Sequence, residues 1–456
     1  MTYLECSALT QEGIQAVIPT AVRTAFSVSA LSKKKKSRRF WFQGISFFSN
    51  NKPDEPQPPV MPPAGLAPWI NVTTSTFAED WKRLLTDDLV EPDVKFISGN
   101  NTIFGHQVIL AASSVIFKEI FLTPKKMNKV PKKYSSIFEE IKWINGDLRS
   151  NNYTNNLNIE VSNDSHSRES AEITLNSSID FEVFNKILRF FYTGLPGFAE
   201  VEVEDFVRDV KETSKLFHLP WLTQVCENRL KDEQFLNPSI GTWLNDETGS
   251  VMKNLFLNKS NLSDVQFIVE GKTVYAHKAV LMARCDVMAA MLGGSFIESK
   301  NASTCELKDT SLESFLAILE YLYTDHAPIE ALDSVNIMVL ADRFCLPRLV
   351  TLCELYITKK VDRMIEKKVA DGTEFVVNLL LLSQTHNASQ LSKWCLHFIA
   401  TNYSVFESSD VFSLLKDENK EYVEEHRWPP LSYLKELEEF QNKINVEGTK
   451  EKCKVM

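Results

Sequence analysis

No Cys-x-x-Cys pair occurs among the eight cysteines of this chain, so structural zinc and dithiol chemistry lack their usual ligand spacing. Phosphate loops of the Gly-x-x-x-x-Gly-Lys-Ser/Thr type are missing, as are an Asn-Lys-x-Asp guanine motif, a Gly-x-Ser-x-Gly elbow and a His-Glu-x-x-His helix. Nucleotide, serine-hydrolase and zinc-protease chemistry therefore lose their familiar signatures. Long apolar runs are scarce: "FVVNLLLL" at 375–382 is broken by Asn378 and too short to span a bilayer. No N-terminal stretch has the character of a signal peptide. The formal charge of −10 lacks the overall basic footprint of a nucleic-acid binder. These absences predict an intracellular, soluble chain with reduced thiols, unused Asn-x-Ser/Thr sequons, no cofactor, no metal and no catalytic activity.

What is present suits sizeable cores. Of 456 residues, 44% are hydrophobic and 24% charged, enough for two to four domains. An internal repeat organises most of them. "PDVKFISGNNTIFGHQVILAASSVIFKEIF" (92–121) aligns with "SDVQFIVEGKTVYAHKAVLMARCDVMAAML" (263–292), and Asp93–His106 and Asp264–His277 are both 13 positions apart. "FNKILRFFYTG" (184–194) then matches "FLAILEYLYTD" (315–325), and "SKLFHLPWLTQVCEN" (214–228) matches "ADRFCLPRLVTLCEL" (341–355). The alternation after each Asp predicts a strand and hairpin. His-x-x-x-Leu opens a helix, and each Leu-Pro starts another with proline in its first turn, where a missing N–H costs little. His106 and His277 hold equivalent places and are expected to be hydrogen-bonded structural residues. Cys226 and Cys353 are expected to be small core residues.

This pattern resembles the BTB/POZ domain, twice over. The fold class expected is α+β: two tandem BTB/POZ domains, then a helical BACK-like region. The boundaries read as a first domain at 73–235 with an inserted polar loop about 123–170, a second at 236–360, helices at 361–445 and a flexible tail at 446–456. Before them lie "YLECSALTQEGIQAV" (3–17), which resembles the closing strand and helix of a Rho/Rac GTPase, and a polybasic, Pro-rich linker at 33–72. With the "HRWPPLSYLKE" tail (426–436), this order resembles the RhoBTB family of atypical Rho proteins. Family members carry a whole GTPase-like domain, whereas only its last strand and helix are matched here, at 1–32. Cys6, Ser7 and Ala8 match the loop beside the guanine base, but without amides cradling phosphates they are not expected to bind nucleotide.

The resemblance implies an adaptor that brings an unidentified protein substrate to a cullin-3 RING ubiquitin ligase and pairs through its BTB units, within or between chains. In BTB proteins that recruit cullin-3, an apolar residue, any residue and an acid follow the central helix. Phe296, Ile297 and Glu298 fit by type and place. Ile120, Phe121 and Leu122 are weaker candidates in the first unit. Lys33, Lys34, Lys35, Lys36, Arg38 and Arg39 crowd positive charge beside Phe40, Trp41 and Phe42. That segment suits anionic lipid at about 1 kcal/mol per basic residue, and equally a nuclear-localisation signal. "CKVM" loosely fits a prenylation box with Cys453 as acceptor, although Lys454 replaces an aliphatic residue. Localisation is expected to be cytoplasmic, with membrane association as an alternative. The rival functions are a membrane-associated BTB scaffold in small-GTPase signalling and a fragment of a longer GTP-binding protein.

Overall fold

The computed structural model describes residues 58–87, 90–123, 129–145, 148, 169–199, 203–293, 304–365 and 369–452. The GTPase-like segment with Cys6, Ser7 and Ala8, the basic run Lys33–Lys36 with Arg38 and Arg39, the triplet Phe296–Ile297–Glu298, and Cys453 all lie outside these residues. Residues 62–431 form one compact unit.

Within it, two modules follow the same plan. The first opens with α1 (Phe77–Thr86), whose Phe77, Trp81 and Leu84 recur at helical spacing and are buried. Strands β1 (Val94–Ser98) and β2 (Asn101–Gly105) form an antiparallel hairpin. Short helices α2 (Gln107–Ser113) and α3 (Val115–Leu122) come next. Then come β3 (Phe138–Asn145), β4 (Glu169–Leu175) and three helices: α4 (Phe181–Thr193), α5 (Glu204–Leu216) and α6 (Pro220–Leu230). Strand order is β2-β1-β4-β3, with β4 parallel to β1 and antiparallel to β3.

The second module begins with a wide helical turn, Thr242–Thr248, that runs into α7 (Gly249–Leu255). Hairpin β5 (Val265–Val269) and β6 (Lys272–Ala276) leads to α8 (Lys278–Arg284) and α9 (Asp286–Leu292). Strand β7 (Thr304–Leu307) lies parallel to β5, giving the order β6-β5-β7. Helices α10 (Leu312–Thr324), α11 (Ser334–Arg343) and α12 (Pro347–Ile365) close it. Beyond lie α13 (Thr373–Thr385), α14 (Ser389–Thr401), α15 (Tyr403–Glu407) and α16 (Asp417–Glu425). In a separate unit of residues 1–61 and 432–456, the described C-terminal part is helical, from α17 (Leu431–Lys452).

The 13-residue spacing of Asp and His has a concrete cause. Asp93 Oδ1 accepts from the Gln107 amide at 2.7 Å, and Asp264 Oδ1 accepts from the Lys278 amide at 2.7 Å. Each carboxylate thus caps the helix that starts just past the histidine. The histidine turns the other way: Nδ1 lies 3.0 Å from the Tyr192 hydroxyl in one module and 2.6 Å from the Tyr323 hydroxyl in the other. Burial holds both phenols well above their ordinary pKa of 10, so they stay protonated. The same aromatic trio fills each core, Phe96, Phe184 and Phe217 matching Phe267, Phe315 and Phe344. Phe117 and Phe138 extend the first cluster.

Two expectations need correction. The stretch 123–170 is not polar loop throughout, because 138–145 form β3 on the edge of the sheet. Phe138 and Ile141 are buried but stand three positions apart, across a register shift at Phe138–Glu140, so the period-two signal of a strand is broken. The Pro-rich stretch is extended but fastened, and so not a free linker from residue 62 onward. Trp428 Nε1 donates to the Pro62 carbonyl at 3.0 Å, the Asn71 amide and carbonyl both bond the Gln390 side chain, and Arg348 donates to the Thr73 carbonyl. Ile70 is buried along this path.

Candidate interaction site

The modules face one another through their leading helices. Helix α1 packs on α4 of its own module and on α8 of the second; α7 packs on α10 of its own and on α2 of the first. Each therefore crosses onto the partner's first helix after the hairpin.

At the α1–α8 seam sits Arg284, its side chain 2% exposed. Its Nη1 lies 2.7 Å from Asp80 Oδ2 of α1, and its Nη2 lies 2.5 Å from Asp325 Oδ1 at the end of α10. Nε donates to the Leu322 carbonyl at 3.4 Å. The guanidinium also stands 4.6 Å from the Phe77 ring centre and 5.3 Å from that of Tyr321, a stacked environment that arginine fills and lysine does not. Arg348 Nε adds a longer contact to Asp325, at 3.4 Å.

The opposite seam is built differently. By the repeat alignment, Ser113 stands where Arg284 does, Gly194 where Asp325 does, and Val251 where Asp80 does. Ser113 merely donates to the Phe191 carbonyl. Gly194 and Asp325 both end their helices left-handed, at φ 72° and 62°, and a side chain at Gly194 would press on Ile240 and Trp243. One seam is ionic and the other apolar and small.

A second polar node joins α12 to the helices beyond. Glu354, 1% exposed, accepts from the Gln390 and Leu391 amides, each at 3.0 Å, and from Gln390 Nε2 at 3.2 Å. It caps α14 from outside. Burial, the larger influence, holds its carboxyl above its ordinary range against the downward pull of these N–H groups. The native chain thus keeps this proton to a higher pH than the unfolded chain. The group's stabilisation accordingly declines as pH rises through that interval. Glu354→Ala strands the buried Leu391 amide and the partly buried Gln390 amide, and guanidinium chloride unfolding should register a loss of about 1–3 kcal/mol, with faster hydrogen exchange at the start of α14.

Among other residues singled out in the sequence, His106 and His277 are buried beside Tyr192 and Tyr323, and Cys226 and Cys353 are core thiols pushed up to about 12 by burial. Ile120 and Phe121 are not available to a partner: both are buried, Phe121 stacking on Phe117 and meeting the Trp143 edge. Residues that sequence reading passed over include Arg284, Asp80, Asp325, Glu354 and Gln390. Only Glu354 left a trace in the alignment, where it shares a column with Glu227. Among the described residues no cluster of three or more His, Cys, Asp or Glu could hold a metal ion, and no helix is long and apolar enough to cross a membrane.

The BTB/POZ domain family matches residues 252–361, from within α7 into α12. Rho-related BTB domain-containing protein 3 of Homo sapiens is 29% identical over 447 residues, covering 94% of this chain and 68% of its own length. Rho-related BTB domain-containing protein 1 of Homo sapiens is 36% identical over 283 residues, 61% of this chain and 39% of its own. The BTB domain of human gigaxonin, a solved structure, is 21% identical over 20% of this chain and 74% of its own, with a TM-score of 0.18. The chain is thus similar to Rho-related BTB domain-containing proteins along most of its length, and its second module carries a BTB/POZ domain.

Proposed function

We propose that this protein is a non-catalytic adaptor that holds a substrate protein near a cullin-3 RING ubiquitin ligase. In this reading the first module is a second BTB unit, the two units pair within one chain, and cullin-3 docks at Phe296, Ile297 and Glu298. The observation that carries it is the second module itself. It contains the BTB/POZ match, and its chain leaves α9 at exposed Gly293 and returns at exposed Thr304. An exposed aromatic in that segment would fill a pocket on the cullin's helical surface, with the carboxylate pairing beside it. The core histidines and thiols are engaged or buried, which favours docking over chemistry. Co-precipitation of the full chain with cullin-3 tests the assignment. Phe296→Ala with Glu298→Ala should reduce capture by about tenfold or more, as loss of a hot-spot pair does. Undiminished capture by the double variant overturns the site, and no capture by the unaltered chain overturns the adaptor reading.

A further inference from the structure

The turn between α5 and α6 of the first module borders a shallow groove of about 460 Å³. Lys215, His218, Pro220, Thr223, Gln224 and Glu227 line it. The repeat gives this groove a counterpart whose occupant is visible. Lys215 aligns with Asp342, His218 with Cys345, Thr223 with Val350, Gln224 with Thr351 and Glu227 with Glu354. The backbones agree: His218 and Cys345 have φ of 55° and 53°. Their amides donate to the Lys215 and Asp342 carbonyls, at 3.1 and 2.9 Å.

On the second module this surface is covered by the turn between α13 and α14 of the same chain. Asn387 Nδ2 donates to Asp342 at 3.0 Å, His386 Nδ1 lies 3.5 Å from the same carboxylate, and Glu354 caps the next helix. Val350 and Glu354 are buried there, whereas Thr223 and Glu227 are half-buried. Glu227 accepts no hydrogen bond among the described residues. Among the described residues Lys215 has only the exposed Glu212 as partner, at 2.7 Å, a pair readily exchanged.

We propose that the groove docks an α-helical hairpin of another protein. The first N–H groups of its second helix bond Glu227, and an acidic side chain in its turn faces Lys215. The acid follows from charge. The chain's own hairpin offers His386 and Asn387 to Asp342, and Lys215 reverses that sign, so a second copy of this hairpin fits poorly. Thr223 in place of buried Val350 leaves a wetter surface, suited to a partner that comes and goes.

A cross-linked helical hairpin of residues 373–401 serves as probe, with helicity verified by circular dichroism. It is made in the native sequence and with His386→Asp, and binding to the full chain is read by fluorescence anisotropy. The His386→Asp probe should bind about tenfold more tightly than the native one. Glu227→Ala in the full chain should cost about tenfold or more, the value of hydrogen bonds to a charged group. Lys215→Asp should reverse the preference between probes. Absent binding, equal binding of both probes, or indifference to Glu227→Ala overturns the proposal. So does binding lost in Glu354→Ala but kept in Glu227→Ala, which marks exchange with the chain's own hairpin.

Discussion

Arg284→Ala should lower the unfolding free energy by about 3–5 kcal/mol, the largest effect expected of any single charge removed from this protein. Among the described residues the arginine is the one cation that faces Asp80 and Asp325 together, and their side chains are 16% and 3% exposed. Deleting it leaves two carboxylates in a poorly hydrated seam, with the more distant Arg348 serving only Asp325. Much of the loss is therefore the burden of unpaired buried charge rather than the worth of the pair. That distinction is measurable. Removing the charges together, as Arg284→Met, Asp80→Leu and Asp325→Gly, should recover most of the stability, since Gly194 already shows glycine at the equivalent left-handed helix end. Guanidinium chloride unfolding followed by tryptophan fluorescence checks both; a triple variant as unstable as Arg284→Ala refutes the account. The triple variant also makes the two seams alike. Its intrachain pairing should then compete with pairing between chains, and light scattering should show dimers where the unaltered chain shows monomers.

Trp81→Ala should cost about 3–5 kcal/mol, as loss of a fully buried aromatic does. Trp81 is completely enclosed and packs at 4.6 Å against Phe77, anchoring α1 where it spans both modules. A hole there has α1 on one side and neighbouring elements on the other, so collapse means drawing a whole helix inward. Its indole N–H meets no acceptor among the described residues. Trp81→Phe, which removes that orphaned donor while retaining most of the volume, should therefore cost markedly less than alanine. Equal losses for alanine and phenylalanine would show that α1 is held by something other than this packing. Hydrogen exchange in α1 should rise together with exchange in α8 in the alanine variant, because the second helix loses its cover.

The parts of the fold legible in the sequence were those whose determinants lie close together in the chain. Asp93 and His106 announce a strand, a hairpin and a capped helix within one short window, and Asp264 and His277 repeat the announcement. The Leu-Pro starts of α6 and α12 are equally local. The strap could not be read, because Asn71 meets Gln390 across 319 positions; a proline-rich segment gives no sign of what it will lie against. Asp80 and Arg284, 204 positions apart, each look like ordinary helix-surface charges. Strand β3 was obscured for another reason. Two buried residues three positions apart, with a register shift between them, are a weak strand signal inside a long polar insertion. The asymmetry of the seams was available in principle, since Ser113 and Arg284 occupy one alignment column, but only the packing of α1 on α8 gives that difference a meaning.

The fastening of residues 62–76 bears on how this molecule can be divided. The route from Trp428 through Gln390 and Arg348 to α1 threads the beginning of the compact unit through its end. A chain stopped after Ile365 would retain every strand of both modules yet deprive Pro62 of Trp428 and Asn71 of Gln390. The leader of the helix anchored by Trp81 would then keep only the Thr73–Arg348 bond of these fastenings. Cutting at the apparent module boundaries would thus remove a brace, and tension applied ahead of Pro62 would be borne first by the helices at the far end of the sequence.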